Sequence, residues 1–185
     1  MTEEIIIAGF GGQGVLSMGK IMAYSGFVQG LETTWIPSYG PEIRGGTANV
    51  TVILSDKPIS SPILQNYSTA IILNQQSLDK FEETVKPGGV LLYTPSTISR
   101  KPTRTDINIY PIRAIEEAQK MNASKVANML LLGAFMKIRP MLDLNWVMRA
   151  IKHSVSERNW KYLPLNEQAI RRGMELADEL QKSKE

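Results

Sequence analysis

Residues 5–16 read Ile5-Ile6-Ile7-Ala8-Gly9-Phe10-Gly11-Gly12-Gln13-Gly14-Val15-Leu16, and they pass from an unbroken apolar run through a glycine-rich bend into a helical pattern. The succession is strand, turn, helix. A continuous β-branched run such as 5–8 suits a strand buried on both faces of a parallel sheet, which places it centrally. From Gly14 onward Val15, Met18, Met22 and Ser25 recur along one stripe, widened by Leu16, Ile21 and Phe27, and the helix is expected to end near Gly26 or Gly30. Gly9, Gly11 and Gly14 have the spacing of a dinucleotide-binding turn, in which backbone amides at a helix N-terminus receive a phosphate. The acid that should follow the next strand is missing, since Ile36, Pro37 and Ser38 stand there and Glu32 precedes it. A purely structural use of the glycines, for a tight turn and close helix packing, therefore stays open.

Outward from this unit the chain alternates strands and helices. Residues 33–36 read as a second strand stopped by Pro37, and 48–54 as a third, with Ala48, Val50, Val52 and Leu54 on one face. Further strands are expected at 70–73, 90–93 and 107–110, with a helix over 77–85 closed by Lys86-Pro87-Gly88-Gly89 and a loop over 94–105. The remainder is helical over 112–120, 124–138, 143–152 and 166–180, the last three opening on Ser124, Asp143 and Asn166 as N-caps. Apolar residues of 126–136 cover nearly every direction, so that helix is either core or interface. Residues 182–185 read as a frayed tail. The expected fold is α/β, a three-layer Rossmann-like open sheet, mostly parallel, with a helical C-terminal third and one domain over 1–185.

The second glycine-rich bend, Ser38-Tyr39-Gly40-Pro41-Glu42-Ile43-Arg44-Gly45-Gly46-Thr47, precedes the third strand. Fixing so many glycines forfeits backbone entropy, and a fixed shape needs compensation. Either Glu42 and Arg44 pair or face water, or Arg44 and the loop amides face an anionic ligand or a partner.

Composition narrows the function. The 185 residues carry 21 Lys plus Arg against 18 Asp plus Glu, a net charge of +3 without a long basic block, which argues against nucleic acid. With no cysteine the chain holds no disulfide, no thiolate zinc site, no cysteine nucleophile and no cysteine-ligated iron–sulfur cluster. His153 is the one histidine and reads as a surface or capping residue, and no Ser-His-Asp order, metal spacing or P-loop lysine is found. Trp146, Trp160 and Tyr162 among Arg149, Lys152, Arg158 and Lys161 read as a solvated helix end. The acidic start and the lack of a long apolar run point to a cytoplasmic protein without a leader or membrane span.

Three runs in order, 9–14, then Tyr39-Gly40-Pro41-Glu42-Ile43-Arg44-Gly45-Gly46-Thr47-Ala48-Asn49, then Lys125-Val126-Ala127-Asn128-Met129 with Leu132-Gly133-Ala134, resemble the gamma subunit of 2-oxoacid:ferredoxin oxidoreductases. The resemblance implies a non-catalytic subunit of an enzyme that converts a 2-oxoacid, CoA and oxidised ferredoxin to acyl-CoA, CO2 and reduced ferredoxin. It implies that this chain binds no cofactor alone, that coenzyme A lies at a shared site, and that thiamine diphosphate, magnesium and iron–sulfur clusters belong to alpha, beta and delta-type partners. Carried onto this sequence, it makes Gly11, Gly12, Gln13 and Gly14 a ligand-facing turn, with Gly40, Pro41, Glu42, Arg44, Gly45, Gly46 and Thr47 opposite and Asn128 projecting toward them. Isolated, such a subunit is expected to be inactive and to self-associate through its apolar helix. The alternative is a stand-alone Rossmann-like module for a nucleotide or flavin.

Overall fold

The computed structural model describes residues 1–39 and 46–183. Its centre is β1 (Thr2–Phe10), in which Ile5, Ile6, Ile7 and Ala8 are all buried. Alternation sends Ile5 and Ile7 into one core and Ile6 and Ala8 into another, which explains why the run has no polar face. On one side β1 pairs in parallel with β4 (Tyr67–Ile72), followed by β5 (Val85–Tyr93) and β6 (Asn108–Pro111), all parallel. On the other side stands β3 (Thr47–Ser55), antiparallel both to β1 and to the edge strand β2 (Glu32–Tyr39). The order is β2-β3-β1-β4-β5-β6, a mixed sheet in which only β3 runs against the rest.

Several expected boundaries moved, each for a local reason. β2 runs through Pro37 to Tyr39 because it is an edge strand with a single ladder, where a missing donor is tolerated. The run 86–89 lies inside β5 as an irregularity, the register jumping from Tyr67↔Val85 to Thr69↔Val90. The helix expected over 77–85 is α2 (Gln75–Phe81), capped by Asn74, and it tightens into a 3-10 turn over Glu82–Thr84. There Glu82, almost fully buried, accepts from the amides of Thr103 and Arg104 and from the Thr103 hydroxyl, so it pins the irregular 94–107 segment.

The helices load the two faces unequally. α1 (Val15–Val28), α3 (Ala114–Lys120), α4 (Ala127–Ile138), α5 (Leu144–Ser154) and α6 (Leu163–Lys182) contribute to the core containing Ile5 and Ile7, while α2 alone covers the other face with Leu78 and Phe81. α1 ends where Gly30 turns left-handed, its N–H bonding to Phe27 O and that of Leu31 to Gly26 O, the paired closure that a glycine permits. Phe27 is exposed and does not belong to the buried stripe. Asp143 caps α5 by accepting from Asn145 N, as expected. Ser124 instead opens a 3-10 turn, Ser124–Val126, and α6 begins ahead of Asn166 with Pro164 in its first turn, the position where a missing N–H costs least. At its far end Lys182 remains helical and pairs with Asp178.

The choice left open for the apolar helix is settled by glycine. A Cβ on Gly133 would stand 1.9 Å from Ile170 O, and one on Gly173 1.9 Å from Leu130 O, so α4 and α6 touch backbone to backbone. Met129 to Met136 are buried without interruption by the chain's own elements. The premise for self-association through α4 is thereby removed. Among the described residues no helix is long and apolar enough to cross a membrane.

Candidate functional site

The bend after β1 is shaped by Gln13 and by absent side chains. Gln13 Oε1 accepts from Phe10 N at 2.6 Å and Nε2 donates to Leu73 O at 3.2 Å, so one amide clasps the carboxyl ends of β1 and β4. A side chain on Gly9 would meet Gln13 Oε1 at 2.6 Å and Leu73 Cβ at 2.9 Å, which makes this glycine a condition of the clasp. Gly12 and Gly14 have φ of 95° and 78°, where L side chains are strained. Gly14 is the N-cap of α1, and a Cβ there would lie 2.4 Å from Asn128 Nδ2. The Asn128 side chain thus rests on the Gly14 backbone, as its projection from α4 toward the bend required.

The two glycine bends meet. Gly11 N donates to Gly46 O at 3.1 Å, and Phe10 is paired with Thr47 across β1 and β3. Gly46 and Thr47 therefore flank Gly11. Gly40, Pro41, Glu42, Arg44 and Gly45 lie outside the described residues.

A cavity of about 510 Å³ opens beside the first bend, at the carboxyl ends of β4 and β5. Gly12, Gln13 and Gly14 form one wall with Ser17, Lys125 and Asn128 stand across from them at the start of α4, and Leu73, Ile115 and Leu131 supply apolar surface. No side chain caps α1 or α4, and neither has an acidic residue in its first turn. The unpaired amides of an uncapped helix start carry partial positive charge. Among the described lining residues Lys125 is the single charged group, so the local field favours an anion. A smaller cavity of about 290 Å³, lined by Phe10, Gly11, Gly12 and Ala48 among others, lies on the other side of the same bend.

The topology also accounts for the missing ribose acid. In a dinucleotide fold that acid ends the strand beside β1, whereas here antiparallel β3 occupies the place and moves β2 to the edge. Four polar lining residues were not among the expected site residues: Ser17, Thr94, Ser124 and Lys125. Thr94 follows β5, so the rule that ligands gather at carboxyl strand ends pointed to it. Lys125 lies three residues before Asn128 in the run 125–129, whose resemblance to the family pointed to Asn128 alone.

The model of the pyruvate ferredoxin/flavodoxin oxidoreductase family matches residues 4–176. The chain belongs to that family. Among its relatives, the 2-oxoglutarate synthase subunit KorC of Methanocaldococcus jannaschii is 32% identical over 183 residues, which are 97% of this chain and 96% of KorC. The ketoisovalerate oxidoreductase subunit VorA of Methanothermobacter thermautotrophicus is 37% identical over 177 residues, 95% of this chain but 36% of VorA. The chain thus spans about a third of the length of VorA. The solved gamma subunit of a keto/oxoacid ferredoxin oxidoreductase from Geobacter sulfurreducens superposes with a TM-score of 0.80 at 29% identity, covering 95% of this chain and 98% of that one. Membership of this family over nearly the whole chain does not favour the stand-alone nucleotide module.

Proposed function

We propose that the chain is the gamma-type, non-catalytic subunit of a CoA-dependent 2-oxoacid:ferredoxin oxidoreductase, a single domain over 1–185 acting in the cytoplasm. The full enzyme takes a 2-oxoacid, CoA and oxidised ferredoxin to acyl-CoA, CO2 and reduced ferredoxin. Alpha, beta and delta-type partners hold thiamine diphosphate, magnesium and the iron–sulfur clusters, and the absence of cysteine here agrees with that division. KorC, a 2-oxoglutarate synthase subunit, aligns over almost its full length, which supports a subunit of this size.

The observation that carries the role in CoA binding is the 510 Å³ cavity between two uncapped helix starts, with Lys125 as its charged wall. On this reading the amides at the start of α1 and the Lys125 ammonium bind CoA phosphate, while Leu73, Ile115 and Leu131 pack against the pantetheine arm and Asn128 bonds its amides. Arg44, in the second glycine-rich run of the sequence, is assigned a further positive charge for the same phosphates. The enzyme reconstituted with its partners tests this. Lys125→Ala and Arg44→Ala should each raise the KM for CoA about tenfold, the loss of one charge-assisted bond, and leave the KM for the oxoacid within about twofold. Equal shifts in both constants, or none, refute the assignment.

A further inference from the structure

The site described above leaves one surface unused, on α5 and the 3-10 segment Glu157–Tyr162 that follows it. Residues 144–162 hold Arg149, Lys152, Arg158 and Lys161 against the single acid Glu157, an excess equal to the net charge of +3 on the whole chain. Among the described residues none of these four cations meets a carboxylate, whereas Arg171 and Arg172 on neighbouring α6 are both paired. Three of the four sit over aromatic rings of the same surface: Arg149 at 4.7 Å from the centroid of Trp146, Lys152 at 4.4 Å from Trp160 and Lys161 at 5.1 Å from Tyr162. The rings hold the charges in place and leave their N–H donors available. Alongside runs a groove of about 760 Å³ between α5 and the start of α6, with Leu144, Trp146, Met148 and Leu163 among its lining and Arg149 and Lys152 at its cationic side.

We propose that this surface docks an acidic polypeptide segment, an apolar side chain entering the groove and flanking carboxylates meeting Arg149, Lys152, Arg158 and Lys161. Positioned but unpaired cations around an apolar depression match that partner in both charge and shape. Nucleic acid fits less well. Base stacking needs free ring faces, and here a cation of the chain already lies over one face of each of the three rings. Tyr162 borders a second cavity, of about 710 Å³, which shares Ser124 and Lys125 with the candidate site, so a docked segment lies next to that site.

Calorimetric titration of the full chain at low salt tests the proposal without reference to CoA, so its failure and that of the proposed function are separate results. The probes are a glutamate–tyrosine copolymer, polyglutamate, oligothymidylate and phosphatidylserine vesicles. The copolymer should bind more tightly than the other three. Lys152→Glu with Lys161→Glu should weaken its binding by about tenfold or more, while Lys57→Glu with Lys101→Glu, the same charge change at two other exposed lysines, should change it less than about twofold. No copolymer binding, equal losses from the two double variants, or any other probe bound as tightly as the copolymer overturns it.

Discussion

Replacing Gly14 by Ala tests the packing of the glycine bend on α4. Two costs are built into the position. The backbone there is left-handed, at φ 78°, which costs an L residue about 1–2 kcal/mol. The new Cβ would also stand 2.4 Å from Asn128 Nδ2 and 2.9 Å from its Cγ, roughly 1 Å inside ordinary contact, an overpacking worth about 1–3 kcal/mol. Against these, a less flexible unfolded chain returns about 0.4–1 kcal/mol. Gly14→Ala should therefore lose about 2–4 kcal/mol in urea unfolding. Asn128→Ala removes the obstructing amide but not the left-handed backbone. In the Asn128→Ala background, Gly14→Ala should cost only about 1 kcal/mol, giving a coupling of about 1–3 kcal/mol. The four proteins of the cycle are measured at one temperature and compared at a common slope. Additivity within about 0.5 kcal/mol refutes the contact on which the cavity's shape depends.

Three further outcomes follow from the same structure. Gln13→Leu keeps the volume but abandons Phe10 N and Leu73 O, and urea unfolding should register a loss of about 1–3 kcal/mol; an unchanged midpoint contradicts the clasp. Gly133→Ala drives a methyl against Ile170 O, which lies 1.9 Å from the required Cβ position, and the separation forced on α4 and α6 should cost about 3 kcal/mol or more; a loss under about 1 kcal/mol denies the close crossing. Burial raises the Glu82 carboxyl, but hydrogen bonds from Thr103 N, Arg104 N, the Thr103 hydroxyl and Arg100 outweigh it and hold the group below its usual 4.5. Because its folded value is depressed, the stability it contributes is present above 4.5 and is lost as the pH falls through the folded value. The stability difference between wild type and Glu82→Gln should shrink between neutral pH and pH about 3, and a difference that stays constant sinks the reasoning.

The fold was legible in the chain wherever a pattern is local. The apolar run at 5–8, the alternation from Ala48 to Leu54 and the uninterrupted apolarity of 129–136 each specify an environment, and each lies in the one it specified. Less could be read where an element's length depends on a neighbour. Pro37 stops an interior strand but not an edge one, and edge status is decided by β3 folding back between β2 and β1. Likewise the run 86–89 looked like a helix terminator, yet β4 draws it into a strand.

By itself the sequence determined most of the strands and helices, that glycines must stand at the bends, and that these 185 residues carry no cysteine chemistry, because these follow from side-chain size, periodicity and donor atoms. It also pointed Asn128 toward the first bend, through runs that resemble those of the oxidoreductase gamma subunit, and Asn128 lines the cavity beside that bend. Only the tertiary structure decided that Gly11 bonds to Gly46, that Gln13 joins β1 to β4, and that Lys125 and Thr94 enter the same cavity. The reason is distance along the chain. Lys125 and Gly14 are brought together by the packing of α4 against the bend, and no local rule of spacing encodes a contact between backbones that meet only when the sheet has formed.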